Sequence, residues 1–220
     1  MKKISKLFFL FLSLCFTIGF SQQKHDFWDD IQNFKKLDAE KAPPKNAILL
    51  LGSSSFTKWK DVGNYFPEKI IINRAFGGSR LVDLNFYAED ILNPYQPKQV
   101  IIYCGENDIA HEEKPSSPIV FERFKAFFNT VRKHYPKANI SYVSIKYSPS
   151  REQFWPEVKK VNTLIKHFIQ RQKNANFIDI TKAMKDADGK VRKDLFLEDM
   201  LHMKPEGYKI WAKVMKPYLK

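Results

Sequence analysis

Cysteine is almost absent from this chain: Cys15 and Cys104 are the two in 220 residues. A disulfide-stapled scaffold is therefore excluded, and stability must come from an apolar core. The 44% hydrophobic content suffices for one, and the length suits a single domain. Apolar runs long enough to span a bilayer are also lacking, since a spanning helix needs about 18–20 such residues. The uncharged run from Leu7 to Phe20 is shorter; it follows Lys2, Lys3 and Lys6 and ends at Gly19-Phe20-Ser21. That is the layout of a secretory signal peptide cleaved near Ser21. It sets boundaries of 1–21 for the leader and 22–220 for the folded domain, with a secreted or periplasmic destination and no stable membrane insertion after cleavage. A lipidated Cys15 would need a small residue before it, where Leu14 is bulky. Cleavage leaves Cys104, which inside "VIIYCG" reads as a buried, inert thiol.

Acidic residues are scarce as well: 24 Asp and Glu face 37 Lys and Arg, for a net charge of +13. Such a surplus can bind nucleic acid. Here it is spread over nearly every segment, with no zinc-finger or RNA-binding signature, so a solvated basic surface suited to anionic envelope polymers is the better reading. There is no internal repeat, low-complexity tract or dividing linker. "DADGK" (186–190) lacks the later acidic positions of a calcium loop. The "HEE" run at 111–113 offers adjacent loop side chains that diverge rather than converge on an ion. Neither a metal nor an organic cofactor is expected.

What the chain does contain is an alternation. Apolar runs at 47–51, 69–73, 99–104, 140–145 and 176–180 read as strands. Amphipathic stretches at 81–92, 119–135, 154–172 and 205–219 read as helices, and Phe27, Ile31, Phe34 and Leu37 mark another before Pro43-Pro44. Continuous apolar strands separated by helices imply a parallel sheet covered on both faces. The expected fold is a three-layer α/β/α sandwich with a five-stranded parallel sheet.

In such sheets function gathers at the carboxyl ends of the strands. Those ends carry Gly52-Ser53-Ser54-Ser55, then "RAFGGS" with Gly77 and Gly78, then Gly105-Glu106-Asn107-Asp108, and finally "EDMLHM" with Asp199 and His202. Each alone is an ordinary turn or cap. Together they supply what acyl transfer needs: a hydroxyl, an imidazole to take its proton, a carboxylate to orient the imidazole, and donors for an oxyanion.

These four blocks, in this order over positions 52–202, resemble those of the SGNH hydrolases, the GDSL esterase/lipase family. One departure is Ser53, where the family commonly has Asp. The resemblance implies a flavodoxin-like strand order of 2-1-3-4-5. It implies Ser54 as nucleophile, with Ser55 as the fallback and Ser53 and Ser55 otherwise turn or cap residues. It also implies His202 as base, Asp199 as the acid that orients it, and Ser54 N–H, Gly78 N–H and Asn107 as the oxyanion hole. Arg80 and His111 are candidate substrate contacts, although ion pairing within the protein is the plainer role for Arg74 and Arg80. His134 and His167 read as surface or packing residues. The implied activity is ester hydrolysis of a small-molecule or carbohydrate ester, with a short acyl group such as acetyl first, since no insertion could form a lid. Acyl transfer to a glycan and non-catalytic glycan binding are the alternatives.

Overall fold

The computed structural model describes residues 25–220; the leader, its cleavage point and Cys15 lie outside the described residues. Five strands, β1 (Ile48–Gly52), β2 (Ile71–Asn73), β3 (Gln99–Tyr103), β4 (Asn139–Val143) and β5 (Ala175–Ile178), form one all-parallel sheet in the order β2-β1-β3-β4-β5. Each run is mostly apolar because both faces of the sheet are covered; the polar exceptions are Asn73, Gln99, Asn139, Ser141 and Asn176. Successive side chains then divide between two cores. Leu49, Leu51, Val100, Ile102, Ile140 and Tyr142 pack on one side, and Ile48, Leu50, Ile101, Tyr103, Val143 and Ile178 on the other.

The first face is covered by α1 (Trp28–Glu40), α4 (Leu81–Phe86), α5 (Ala88–Leu92), α7 (Ser117–His134) and α8 (Trp155–Ile169). The second is covered by α2 (Ser54–Thr57), α3 (Val62–Tyr65) and α9 (Pro205–Met215); Phe56, Trp59 from the connection between α2 and α3, Tyr208 and Trp211 form an aromatic cluster there. A further short helix, α6, spans Glu106–Ile109. The amphipathic stretch at 81–92, read from sequence as one helix, is broken at Tyr87. The Tyr87 hydroxyl donates to the Asp26 carbonyl at 2.9 Å and ties this break to the approach to α1.

The chain leaves β1 for β2 on one side, whereas β3 lies on the other. The loops after β1 and β3 therefore part and open a crevice at their carboxyl ends. Gly52 closes β1 at φ +144°, where a Cβ would sit 1.9 Å from the Tyr103 carbonyl oxygen at the end of β3. No side chain fits there. Gly52→Ala is expected to cost about 3 kcal/mol or more and to lower the melting temperature by roughly 6–12 °C; an unchanged calorimetric transition would contradict this close approach.

Candidate active site

Ser54 opens α2 immediately after β1, and among the described residues its backbone N–H donates to no protein acceptor. Its Oγ lies 3.1 Å from His202 Nε2, across 148 positions of sequence. Ser55, next along, is buried, and its carbonyl accepts from the Tyr208 hydroxyl at 2.9 Å. Of the two, Ser54 faces the imidazole.

His202 is held from its other nitrogen, with Nδ1 2.6 Å from Asp199 Oδ2. The second oxygen, Asp199 Oδ1, accepts the backbone N–H groups of Leu201 and His202, both at 2.9 Å. Three residues thus suffice to fix carboxylate and imidazole together. The loop is closed by an antiparallel bridge between Phe196 and Met203. Partial burial pushes the Asp199 carboxyl up. The His202 backbone N–H, the His202 ring and the Leu201 N–H outweigh that and bring it down to about 2, so it stays ionised beside the imidazole.

The glycine loop after β2 brings Gly78 to φ +88°, a left-handed conformation that glycine adopts without strain. Gly77 and Gly78 are exposed, and the Gly78 amide has no acceptor among the described residues. Asn107, on α6 after β3, has its side-chain amide engaged within the protein. Its Nδ2 donates to Ser53 Oγ at 2.8 Å and to the Ser79 carbonyl at 3.1 Å, so an incoming oxyanion would share one of these protons. Ser53 sits at the N-cap of α2, yet its side chain makes no capping bond. The hydroxyl accepts from Asn107 instead, so Ser53 caps α2 through its carbonyl, which accepts from the Phe56 and Thr57 amides.

Several residues at the site carry no motif. Glu106, Lys146 and Ser148 are buried together beneath Asn107. Lys146 Nζ lies 2.5 Å from Glu106 Oε2 and 3.2 Å from the Tyr103 hydroxyl, which itself donates to Glu106 at 2.9 Å; Ser148 Oγ donates to Glu106 Oε1. Lys146 is directed inward because Asn162 on α8 satisfies both backbone groups of Ile145, at 2.8 Å each. Arg151 Nη2 donates to Asn107 Oδ1 at 3.0 Å, and its Nη1 lies 3.7 Å from Glu106 Oε1. A cation on the amide oxygen draws electron density from Nδ2 and fixes which end of the amide faces the crevice. Burial raises the Glu106 carboxyl, but Lys146 and Arg151 pull it below the usual range.

Removing Lys146 would strand this carboxylate. Lys146→Met is expected to cost about 3–5 kcal/mol in urea unfolding at neutral pH, and adding Glu106→Gln should recover most of it. In the parent, Glu106 titrates below its unfolded value, so its contribution is present above that value and lost as pH falls through the lowered one. The single variant should therefore lose its disadvantage on acidification; an equal deficit at all pH values would contradict the pairing.

The remaining candidates are accounted for by the protein's own groups. Arg80 lies 3.6 Å from Asp83, and Arg74 reaches Asp38 at 2.5 Å and the Tyr95 hydroxyl at 2.7 Å. His111 is half-buried on the loop after α6 and accepts from the Glu113 amide at 3.3 Å. Asp108 is fully buried, where it accepts from the Leu81 amide at 2.8 Å and Arg123 at 3.0 Å, tying the glycine loop to α6. Cys104 is buried, with its thiol pushed up by burial. Among the described residues no group of three or more His, Cys, Asp or Glu side chains could hold a metal, and no helix is long and apolar enough to cross a membrane.

Residues 47–210, from β1 to α9, match the model of the GDSL-like lipase/acylhydrolase family. The chain belongs to that family. Its members' fold recurs in solved structures. A Streptococcus pneumoniae protein described as a candidate platelet activating factor aligns with TM-score 0.75 at 21% identity, covering 87% of this chain and 92% of that one. A GDSL-like lipase from Bacteroides thetaiotaomicron aligns at 0.70 and 17% (86% and 96% covered), and a family 3 carbohydrate esterase from Talaromyces cellulolyticus at 0.63 and 14% (78% and 95%). At these identities the likeness is one of fold. No curated protein matches the sequence.

Proposed function

We propose that this GDSL-family protein, exported by its 1–21 leader and folded over 22–220, is a serine esterase that removes short acyl groups, acetyl first, from a carbohydrate. The reading rests on one observation: the Ser54, His202 and Asp199 side chains form a continuous chain at 3.1 and 2.6 Å, beside two amides with no acceptor among the described residues. His202 Nε2 takes the proton of Ser54 Oγ as that oxygen attacks the acyl carbon, and Asp199 stabilises the imidazolium that results. The carbonyl oxygen becomes an oxyanion facing the Ser54 and Gly78 N–H groups and a shared Asn107 proton; each such donor is worth about 10²–10³ in turnover. The imidazolium then gives its proton to the departing alcohol, leaving an acyl-Ser54. Water, deprotonated by the same imidazole, releases the acid and restores Ser54.

Acetyl on a sugar is favoured by the short connections between elements among the described residues, which leave no lid-sized insertion there, and by carbohydrate esterases that share the fold. The test is acetate release from O-acetylated xylo-oligosaccharides and p-nitrophenyl acetate, set against p-nitrophenyl octanoate. Acetate release, with acetyl preferred to octanoyl, is expected. Acetyl appearing on an acceptor sugar instead of as free acid, or no turnover of any ester, would overturn the reading. Because the Asp199 carboxyl is held down to about 2, its protonation should cause no loss of rate above pH 4.

A further inference from the structure

Beyond the ester site, the carboxyl edge of the sheet carries a second concavity. It is a groove of about 830 Å³ between the segment after β4 and the turn after β5, within the size range of ligand sites. Tyr147 and Trp155 line it with Lys159, Lys185, Lys190 and Lys193. The segment from Lys146 to Trp155 is two-sided: Lys146, Ser148 and Arg151 turn to the Glu106 and Asn107 cluster, whereas Tyr147 and Trp155 turn to the groove. The indole is fixed by its Nε1, which donates to the Ser148 carbonyl at 3.0 Å, and its ring meets Tyr147 at 5.5 Å and 67°. Lys185 Nζ lies 5.3 Å from the centre of the Tyr147 ring.

Charge makes this groove distinctive. Among the described residues none of the four lysines has a carboxylate within ion-pair distance, whereas the adjacent Lys160 is paired with Glu157 at 2.7 Å. The lining holds one carboxylate, Glu152. Four ammonium groups, one acid and a rigid aromatic corner match a polymer that repeats a negative charge and a flat apolar face. A uronate chain does both: each carboxylate meets an ammonium group, and the C–H face of the pyranose packs on the ring. Because all five strands are parallel, the loops bearing Ser54, Asn107, His202 and this groove leave the same edge, and the groove segment is tied to the Asp199–His202 loop where Ser150 N–H and Oγ donate to the Met200 carbonyl at 3.1 Å each.

We infer that the groove is a binding site for the uronate backbone of an acidic polysaccharide whose O-acetyl groups the Ser54 site removes. The inference rests on the esterase reading for its catalytic half, and its binding half is tested separately. Three proteins are compared at low ionic strength: the parent, the Lys185→Gln/Lys190→Gln/Lys193→Gln triple, and a control triple, Lys209→Gln/Lys213→Gln/Lys216→Gln, which makes the same charge change on α9 and just past its end. Acetate release from O-acetylated polygalacturonate and from neutral O-acetylated xylan is measured alongside p-nitrophenyl acetate turnover.

The groove triple should lose about tenfold in kcat/KM on the polyuronate through KM and keep its rate on p-nitrophenyl acetate and xylan, whereas the control triple should match the parent on all three. Trp155→Ala should also raise KM for the polyuronate several-fold. The parent's preference for the anionic polymer should fade in 0.5 M salt, where screening is short-ranged. Affinity electrophoresis in de-esterified polygalacturonate reads the groove without turnover: the parent and control triple should be retarded, and the groove triple should not. Equal losses in both triples would assign the effect to net charge and overturn the site, as would equal retardation of all three proteins. No turnover of any ester, with retardation intact, would sink the esterase reading and leave the groove standing.

Discussion

Ser54→Ala is expected to lower kcat for p-nitrophenyl acetate by at least about 10³-fold, and His202→Ala by a similar factor, with KM changing little. The hydroxyl and imidazole act as one unit, so the double variant should lose no more than either single variant. What remains would come from the oxyanion donors and binding alone. The measurement is steady-state hydrolysis by the purified protein, with circular dichroism to show that each variant folds. Ser54 is half-exposed on a four-residue helix, and its Oγ is bonded to His202 rather than to a core group, so the fold should survive. Wild-type activity in Ser54→Ala would move the nucleophile elsewhere.

The second large effect concerns Asp199→Asn. Asp199 Oδ1 accepts two backbone N–H groups, from Leu201 and His202. An asparagine must place its carbonyl oxygen there, because an NH₂ group would set donor against donor. Its NH₂ then faces His202 Nδ1, which has to become the acceptor, and the ring proton moves to Nε2. An imidazole protonated at Nε2 cannot take the proton of Ser54. The expected cost is about 10³–10⁴ in kcat, with the 3.1 Å approach of Ser54 to His202 kept in the variant's structure. A loss under tenfold would mean that the carboxylate does not set the tautomer.

Much of this arrangement was legible in the sequence, for identifiable reasons. The five apolar runs found their strands within one or two residues because burial on both faces leaves no polar alternation to confuse. The four loops stood out because glycine, serine, asparagine and histidine interrupt those runs at one end. The helices were less exact. The stretch at 154–172 opens on the last residue of a 3-10 turn over Pro149–Phe154, with α8 running from Trp155 to Ile169, and the last helix ends at Met215, two residues before Pro217, since proline cannot supply the N–H that would extend it.

The buried ion cluster was not legible. Glu106 occupies the unspecified position of its block, and Lys146 and Arg151 lie in "SIKYSPSR", which reads as a polar loop after a strand. Their partners are some 40 positions away, and only the pairing of β3 with β4 brings them together. The one available signal was a lysine just past an apolar run, a place where a charge must find a partner or stay in water. The engaged state of Asn107 was equally hidden, because Ser53 and Ser79 compete for its protons only once the crevice has formed.

The central claim is that the Ser54 hydroxyl, activated by His202, attacks an acyl carbon. Intact-mass and peptide mass spectrometry after treatment with a fluorophosphonate tests it most directly, since such reagents trap the activated serine. One adduct on Ser54, formed rapidly in the parent and at least about a hundredfold more slowly in His202→Ala, is the predicted result. An adduct on Ser55 or on another residue, or equal labelling with and without the imidazole, would contradict it.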